Sequence, residues 1–177
     1  MNSKKDIINN ILLSKTHREN ENLIICLIPE LINMIGFDHN HPHHHLDVWE
    51  HTLLTLDNLN SNDLSVVLAA LLHDIGKPFS YQDKEIRHFK GHAIMSRKIA
   101  KSILERLEYD QNFIDEVLFL VRYHDTSIEK LDIKNEKIKN KLLDLQYADA
   151  KAHHPDYIEK RLKLLDKINE GTVRKKV

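Results

Sequence analysis

Apolar residues recur along most of the chain at the three- and four-residue spacing that is typical of amphipathic α-helices. No segment shows the sustained apolar–polar alternation of a half-buried strand. One such stripe consists of Leu64, Val67, Leu68, Leu71 and Leu72. The pattern predicts an all-α fold with helices near residues 4–14, 20–35, 48–60, 63–73, 92–108, 111–124, 134–151 and 155–169.

The chain has 177 residues, which is a usual length for one domain, and only four glycines and four prolines to form turns. We expect a single domain over residues 1–177, with its core at 39–151, a helical appendage at 1–35 and a frayed tail at 170–177. Asp47 followed by Glu50 is typical of a capping box that opens the third helix. Pro78 and Gly91 enclose a loop.

The formal net charge of -1 gives no overall electrostatic footprint for nucleic acid, and we predict no DNA partner. No stretch has the roughly 18 apolar residues of a membrane span, and the basic start is too short and broken for a signal peptide, so we predict no membrane association. The single cysteine, Cys26, is expected to be a small buried residue in a reducing, cytoplasmic setting.

Histidine is abundant, with 13 residues, and five of them lie in the segment DHNHPHHHLD. We interpret the cluster at His41–His45 first as a solvated polar loop. The alternative is that His43, His44 and His45 line the entrance to a site, and the sequence leaves the role of this cluster open.

Several other polar residues fall on the apolar faces of predicted helices. His124 continues the stripe that contains Leu120 and Val121, and Asp149 lies four residues after Leu145. A buried carboxylate is costly unless it is paired or binds a metal. Imidazole and carboxylate together are ordinary ligands of first-row metals.

His73 and Asp74 are adjacent, so they cannot share one face of a regular helix. Both can reach one ion only where the helix ends, and Gly76 and Pro78 provide that ending. His51 lies 22 residues earlier, about one helical hairpin away. Taken singly, His51 is compatible with an ordinary helix start, His73–Asp74 with a helix end, and Asp149 with an ion pair. Their combination favours a metal site.

These residues resemble the signature of the HD phosphohydrolase superfamily, which is a histidine, a His-Asp doublet and a distant aspartate. The stretches HPHHHLDVWEHTLLTLDNL, LLHDIGKPFSYQDKEIRHFKGH and VRYHD are similar to the HD domains of bacterial CCA-adding tRNA nucleotidyltransferases. The resemblance covers about residues 39 to 151 and implies an all-helical HD-domain bundle. No segment of this sequence resembles a nucleotidyltransferase head, so we do not expect it to add CCA.

The resemblance also implies the residues of the site. It implies one or two divalent transition metal ions (Fe, Mn, Ni, Zn or Co), with Asp74 as the bridge and a catalytic residue. Lys77 would contact a substrate phosphate and take part in catalysis, whereas His88 is either a loop residue or a substrate contact. The implied metal ligands are His51, His73, Asp74, His92, His124 and Asp149.

The implied activity is metal-dependent hydrolysis of a phosphomonoester or phosphodiester of a nucleotide or RNA end, with 2′,3′-cyclic phosphodiesterase or phosphatase activity as one form. The alternative is a non-catalytic nucleotide-sensing or RNA-associated HD module whose metal is structural. A metal shell without an open position would favour the alternative. The substrate, the metal and the oligomeric state stay open.

Overall fold

A computed structural model describes the backbone of residues 3–174 and the side chains of residues 3–170. This part of the chain is all-α, with no β-sheet and only two isolated bridges. Three short 3-10 helices cover Pro29–Met34, Lys77–Phe79 and Ile128–Lys130. The α-helices are α1 (Lys4–Leu13), α2 (Glu21–Leu27), α3 (Val48–Asp57), α4 (Leu64–Leu72), α5 (His92–Arg106), α6 (Gln111–Tyr123), α7 (Glu136–Lys151) and α8 (Pro155–Arg174).

Helix α4 lies at the centre of the bundle. Every residue from Ser65 to Leu72 is buried, because α1, α3, α6 and α7 pack around it. A helix that is apolar on all sides is expected to be buried on all sides. The helix begins where the Asp63 side chain accepts a hydrogen bond from the backbone N–H of Ser65 (3.1 Å). Its C-terminal end therefore delivers His73 and Asp74 into the middle of the molecule.

The N-terminal segment, which we expected as an appendage at 1–35, contributes to the main core from Ile8 onward. Ile8, Ile24, Leu31 and Met34 are fully buried in the same hydrophobic cluster as α4. The predicted helix at 20–35 was wrong as one element. It is divided at Ile28, whose φ of -128° leaves the helical region immediately before Pro29.

Two further sequence predictions need correction. Cys26 is exposed, because the buried stripe of α2 runs through Ile24 and Ile28 and leaves Cys26 on another face. The last helix continues to Arg174 rather than ending at residue 169. Of the tail that we expected to fray, residues 175–177 lie outside the described part of the chain.

The cap at Asp47 is half of the predicted capping box. Its carboxylate accepts hydrogen bonds from the backbone N–H groups of Glu50 (2.7 Å) and Gly36 (2.8 Å). The Glu50 carboxylate does not return to the cap, because it accepts a hydrogen bond from Arg18 instead (3.3 Å). Asp47 thus opens α3 and also ties the preceding segment to it.

The helices found between residues 3 and 174 include none with the length and apolarity that crossing a membrane requires.

Gly76 lies where the chain leaves α4 and touches the start of α5. Its φ of -84° is ordinary, so backbone conformation does not require glycine here. Space does: a Cβ at this position would lie 2.4 Å from the backbone nitrogen of Ser96 and 2.5 Å from the carbonyl oxygen of His92. The Gly76 N–H also donates to Ser96 Oγ (2.9 Å). The missing side chain lets α5 approach the end of α4.

We expect Gly76→Ala to lower the free energy of unfolding by about 1–3 kcal/mol, the usual cost of an added group in a packed site. The clash is with backbone atoms, so no side-chain rotation relieves it. Urea denaturation followed by circular dichroism measures the loss.

Ser96→Ala is the matched comparison, because it removes the hydrogen bond without adding volume; it leaves the buried Gly76 N–H without an acceptor and should cost about 1–3 kcal/mol. A Gly76→Ala protein as stable as the parent chain would show that α5 does not depend on this contact.

Candidate metal centre

The six side chains that the sequence predicted as metal ligands come from five different helices and meet in one place. His51 lies on α3, and Asp149 lies on α7. His92 is the first residue of α5, and His124 follows the last residue of α6. His73 and Asp74 directly follow α4, where the helix is ending, as the adjacent doublet requires. Five of these side chains are buried and His92 is half-buried.

The Asp74 carboxylate lies between two groups of histidines. Its Oδ2 atom is 3.2 Å from His73 Nε2 and 3.6 Å from His51 Nε2. Its Oδ1 atom is 3.5 Å from His92 Nε2 and 3.6 Å from His124 Nε2. Each oxygen therefore faces its own pair of imidazole nitrogens, which is the arrangement of a carboxylate that can bridge two ions.

Asp149 completes the side of the centre that contains His51 and His73. Its Oδ1 atom is 3.0 Å from His51 Nε2 and 3.8 Å from His73 Nε2. Ligand atoms that could hold an ion occur in the group His51, His73 and Asp74 and in the group Asp74, His92 and His124. A third such group consists of His51, Asp149 and His153.

The backbone fixes the tautomer of the four candidate ligand histidines. The Nδ1–H of His51 donates to the carbonyl of Ala152 (3.1 Å), and that of His73 donates to Ala70 (2.8 Å). The Nδ1–H of His92 donates to Phe89 (2.9 Å), and that of His124 donates to Val121 (2.8 Å). A carbonyl can only accept, so each neutral ring carries its proton on Nδ1 and its lone pair on Nε2. Metal-bound histidines usually donate their other ring N–H in this way.

Within the described part of the chain, two buried atoms at the centre have no hydrogen-bond partner: His73 Nε2 and Asp74 Oδ1. Buried polar atoms normally have partners, so such an exception needs an explanation. In addition, His92 Nε2 and His124 Nε2 are only 3.2 Å apart, with both Nδ1 protons already committed to carbonyls. Lone pairs that converge in a buried position fit a metal ion.

Both carboxylates are held in the ionised form. Burial disfavours the charge on Asp74, but the neighbouring His73 and Lys77 lower its pKa well below the ordinary value. Burial likewise opposes ionisation of Asp149, and His153, His51 and Arg161 lower its pKa. Contact with Asp74 outweighs burial and raises the pKa of His124, so a metal ion competes with a proton at this residue.

Lys77 is buried and lies directly against the centre. Its ammonium is 2.6 Å from Asp74 Oδ2 and donates a hydrogen bond to His39 Nε2 (3.0 Å). His39 can accept because its Nδ1–H donates to the carbonyl of Leu46 (2.9 Å). Burial, reinforced by the charge of Lys77, lowers the pKa of His39 to about 2, so the ring stays neutral. Sequence reasoning did not single out His39.

The histidine cluster is not simply a solvated loop. The ring of His44 stacks on the buried ring of His39 (3.8 Å between centroids) and faces His51 and His153 edge-on or tilted. The side chains of His41, His43 and His44 line the main cavity, whereas His45 is exposed and does not. The entrance interpretation therefore holds for His43 and His44 but not for His45.

Two residues near the beginning of α8 were also missed as parts of the site. His153 is buried and donates from Nδ1 to the Asp149 carbonyl (2.8 Å). Arg161 donates from Nη2 to Asp149 Oδ2 (3.2 Å). The four-residue spacing from Asp149 to His153 was the available signal for the first, and no sequence signal marked Arg161.

The centre opens into a cavity of about 670 Å³. Its walls carry the basic residues Lys77, Arg87, Lys90, Arg122 and Arg161. His88 also lines it, with an exposed side chain. Asp125 lies at the mouth with 46% of its side chain exposed. The site thus combines a buried anionic centre with a cationic mouth, an arrangement suited to an anionic ligand.

Arg87 holds the loop that forms one side of this mouth. Its guanidinium lies 5.0 Å from the ring centre of Phe37 and 4.9 Å from that of Tyr81, and it donates to Asp83 (3.1 Å). A second hydrogen bond joins Arg87 to the backbone oxygen of Asp38. The loop between Pro78 and Gly91 is therefore fastened to the segment that carries His39.

Part of this chain is similar in sequence to known proteins. The chain is 36% identical over 113 residues to the CC-adding tRNA nucleotidyltransferase of Thermus thermophilus, covering 60% of this chain and 26% of that protein. It is 31% identical over 123 residues to the A-adding tRNA nucleotidyltransferase of Deinococcus radiodurans, covering 62% of this chain and 28% of that protein. It thus spans little more than a quarter of the relatives' length.

The sequence model of the HD domain family matches residues 43–168, which include every candidate ligand and most of α8. The match continues past residue 151, where we expected the core to end, and includes Arg161. With the convergence of His51, the His73–Asp74 doublet and Asp149, it shows that this chain belongs to the HD domain family.

Proposed function

We propose that the chain is a metal-dependent phosphohydrolase that cleaves a phosphomonoester or phosphodiester of a nucleotide or RNA end. The proposed substrates include nucleotides and RNA ends that carry a 2′,3′-cyclic phosphate. The observation that carries the proposal is the pair of buried, partnerless atoms His73 Nε2 and Asp74 Oδ1 beside an open cavity with cationic walls. Buried lone pairs call for a metal ion, and the cavity offers an anionic substrate access to it.

In this proposal His51, His73, Asp74 and Asp149 hold one ion, and Asp74, His92 and His124 hold the other. Mixed imidazole and carboxylate donors suit Fe, Mn, Ni, Zn or Co. When bound, such ions neutralise phosphoryl oxygens and lower the pKa of water toward about 7. The carbonyls that fix the four imidazoles keep their Nε2 atoms directed toward the Asp74 carboxylate, where they would hold the ions.

Lys77 would bind an oxygen of the substrate phosphate. An ammonium has three hydrogen-bond donors, and two of them are directed at Asp74 and His39. The third is available for the substrate, and Lys77 lines the cavity. A fixed positive charge beside the reacting phosphorus stabilises the charge that develops in the transition state.

The outer cations would hold the rest of an anionic substrate. Lys90, Arg122 and Arg161 line the same cavity from three different parts of the chain. We assign His88, at the exposed mouth, to contact with the part of the substrate that leaves. The relatives' names refer to tRNA, so an RNA end is a substrate to test for the present chain.

A purely structural metal is the competing function. Structural sites are closed by four protein ligands, whereas catalytic sites keep an open position for water or substrate. Here Asp74, His92, His124 and Asp149 all line the cavity, so the candidate ligands are reachable from it. This access favours the hydrolase over a nucleotide-sensing or RNA-associated module.

Protein purified without chelator should contain about two equivalents of divalent transition metal. His73→Ala/Asp74→Ala should contain none, because both ion positions lose a ligand. His92→Ala/His124→Ala should retain about one equivalent, because only the second group is lost. Elemental analysis measures each content after reconstitution with Mn²⁺ or Fe²⁺.

His45→Ala is the matched control, since His45 is an exposed histidine of the same region that does not line the cavity. It should keep the metal content of the parent chain. Equal metal contents in all four proteins would contradict the ligand assignment.

Asp74→Ala should lower the hydrolysis of a 2′,3′-cyclic nucleotide by roughly a thousandfold or more, because the shared ligand of both ions is removed. Lys77→Met should lower kcat by about a hundredfold, the usual effect of losing one stabilising charge or donor. Steady-state kinetics with the metal-loaded proteins measure both changes.

Lys98→Met replaces an exposed lysine of α5 that does not line the cavity, and it should leave kcat unchanged. Full activity in Asp74→Ala would exclude metal-assisted hydrolysis at this centre.

A further inference from the structure

A second, smaller cavity adjoins the one that contains the metal centre. It has a volume of about 210 Å³ and lies between α8, α7 and the turn that follows α6. His124, Asp125, Thr126 and Arg161 line both cavities. A ligand with a phosphate in the larger cavity can therefore extend into the smaller one without crossing the core.

One wall of the smaller cavity is apolar and comes from α8. It is formed by Leu164, Leu165 and Ile168. The facing wall is polar and is formed by Thr126, Ser127 and Gln146. A nucleobase needs this combination, because its ring faces are apolar and its edges carry hydrogen-bonding groups.

Gln146 offers a fixed hydrogen-bond acceptor in this wall. Its Nε2 group donates to the backbone oxygens of Thr126 (2.8 Å) and Tyr123 (3.3 Å). Because both partners are carbonyls, the amide nitrogen must face them, and the orientation of the amide is set. The side chain is only 6% exposed, and within the described part of the chain Oε1 has no hydrogen-bond partner.

Arg161 stands at the junction of the two cavities. One nitrogen, Nη2, donates to Asp149 Oδ2, and the other N–H groups of the guanidinium make no hydrogen bond within the described part of the chain. A guanidinium presents five N–H donors, so Arg161 can bind a sugar or phosphate oxygen while it contacts Asp149. This position suits the link between a base and its phosphate.

We propose that the smaller cavity binds the nucleobase of the substrate, and that Gln146 Oε1 accepts a hydrogen bond from an exocyclic amino group, as in adenine or cytosine. The inference rests on the proposed function, because it assumes that the substrate phosphate binds in the larger cavity. Leu165 packs against the ring face, and Arg161 contacts the sugar–phosphate.

The test is equilibrium binding to the metal-loaded protein by isothermal titration calorimetry, with chromatography to confirm that each ligand stays intact. Adenosine 3′-monophosphate should bind roughly tenfold or more tightly than ribose 5-phosphate or inorganic phosphate, the gain expected from one base contact. Uridine 3′-monophosphate, which lacks an exocyclic amino group, should bind more weakly than the adenosine ligand.

Leu165→Trp fills the cavity and should remove the advantage of adenosine 3′-monophosphate while leaving the affinity for inorganic phosphate unchanged. Leu162→Trp is the matched control: the same substitution on the same helix, at a half-buried residue that lines neither cavity. It should preserve the advantage. Equal affinities for the nucleotide and ribose 5-phosphate, or an advantage that survives Leu165→Trp, would overturn the inference.

The two proposals fail separately in this design. Base-dependent binding that is lost in Leu165→Trp, without any hydrolysis, would support the base site and reject the phosphohydrolase. Hydrolysis of cyclic phosphates without any dependence on the base would support the enzyme and reject the base site.

Discussion

The structure depends on keeping one almost fully buried carboxylate ionised. Asp74 is buried at the meeting point of the helices, and an isolated charge there would be very costly. The chain compensates with Lys77 and with imidazole nitrogens on both sides of the carboxylate. The helices that supply these groups must therefore end or begin at the same place, and this requirement explains the arrangement of the bundle.

Backbone carbonyls orient the imidazole rings that surround this carboxylate. Each candidate ligand histidine uses Nδ1 to bind a carbonyl, and three of these carbonyls belong to residues three positions earlier in the chain, as with Ala70 for His73. At the ends of α4 and α6, carbonyls of the last helical turn thus orient the rings of His73 and His124. At the start of α5 the Phe89 carbonyl accepts from both the backbone N–H and the ring of His92. Local helix geometry, more than distant packing, sets the direction of the Nε2 atoms.

Much of this could be predicted from the sequence, and the reason is periodicity. Helical spacing placed His124 and Asp149 on buried faces, and the adjacent His73 and Asp74 required a helix end. The all-α class and the convergence of six candidate ligands are confirmed in the structure. Their roles as ligands remain predictions.

What the sequence could not supply depends on contacts between distant segments. His39 reaches Lys77 across 38 positions, and Arg161 reaches Asp149 from a different helix. Neither interaction leaves a periodic signal. The need for glycine at position 76 was also misread, because it arises from contact with α5 and not from turning the chain. The exposure of Cys26 depends on which face of a short helix meets the core.

The place of His39 has a consequence for how this fold can be divided. The region that matches the HD domain family begins at residue 43, yet the neutral ring that supports Lys77 lies at residue 39, and core residues such as Ile8 and Leu31 come earlier still. The segment that matches the HD domain family therefore contains the candidate ligands but not all of the residues that pack behind them. A protein into which residues 43–168 alone were engineered would therefore have to provide another neutral acceptor for the Lys77 ammonium in place of His39.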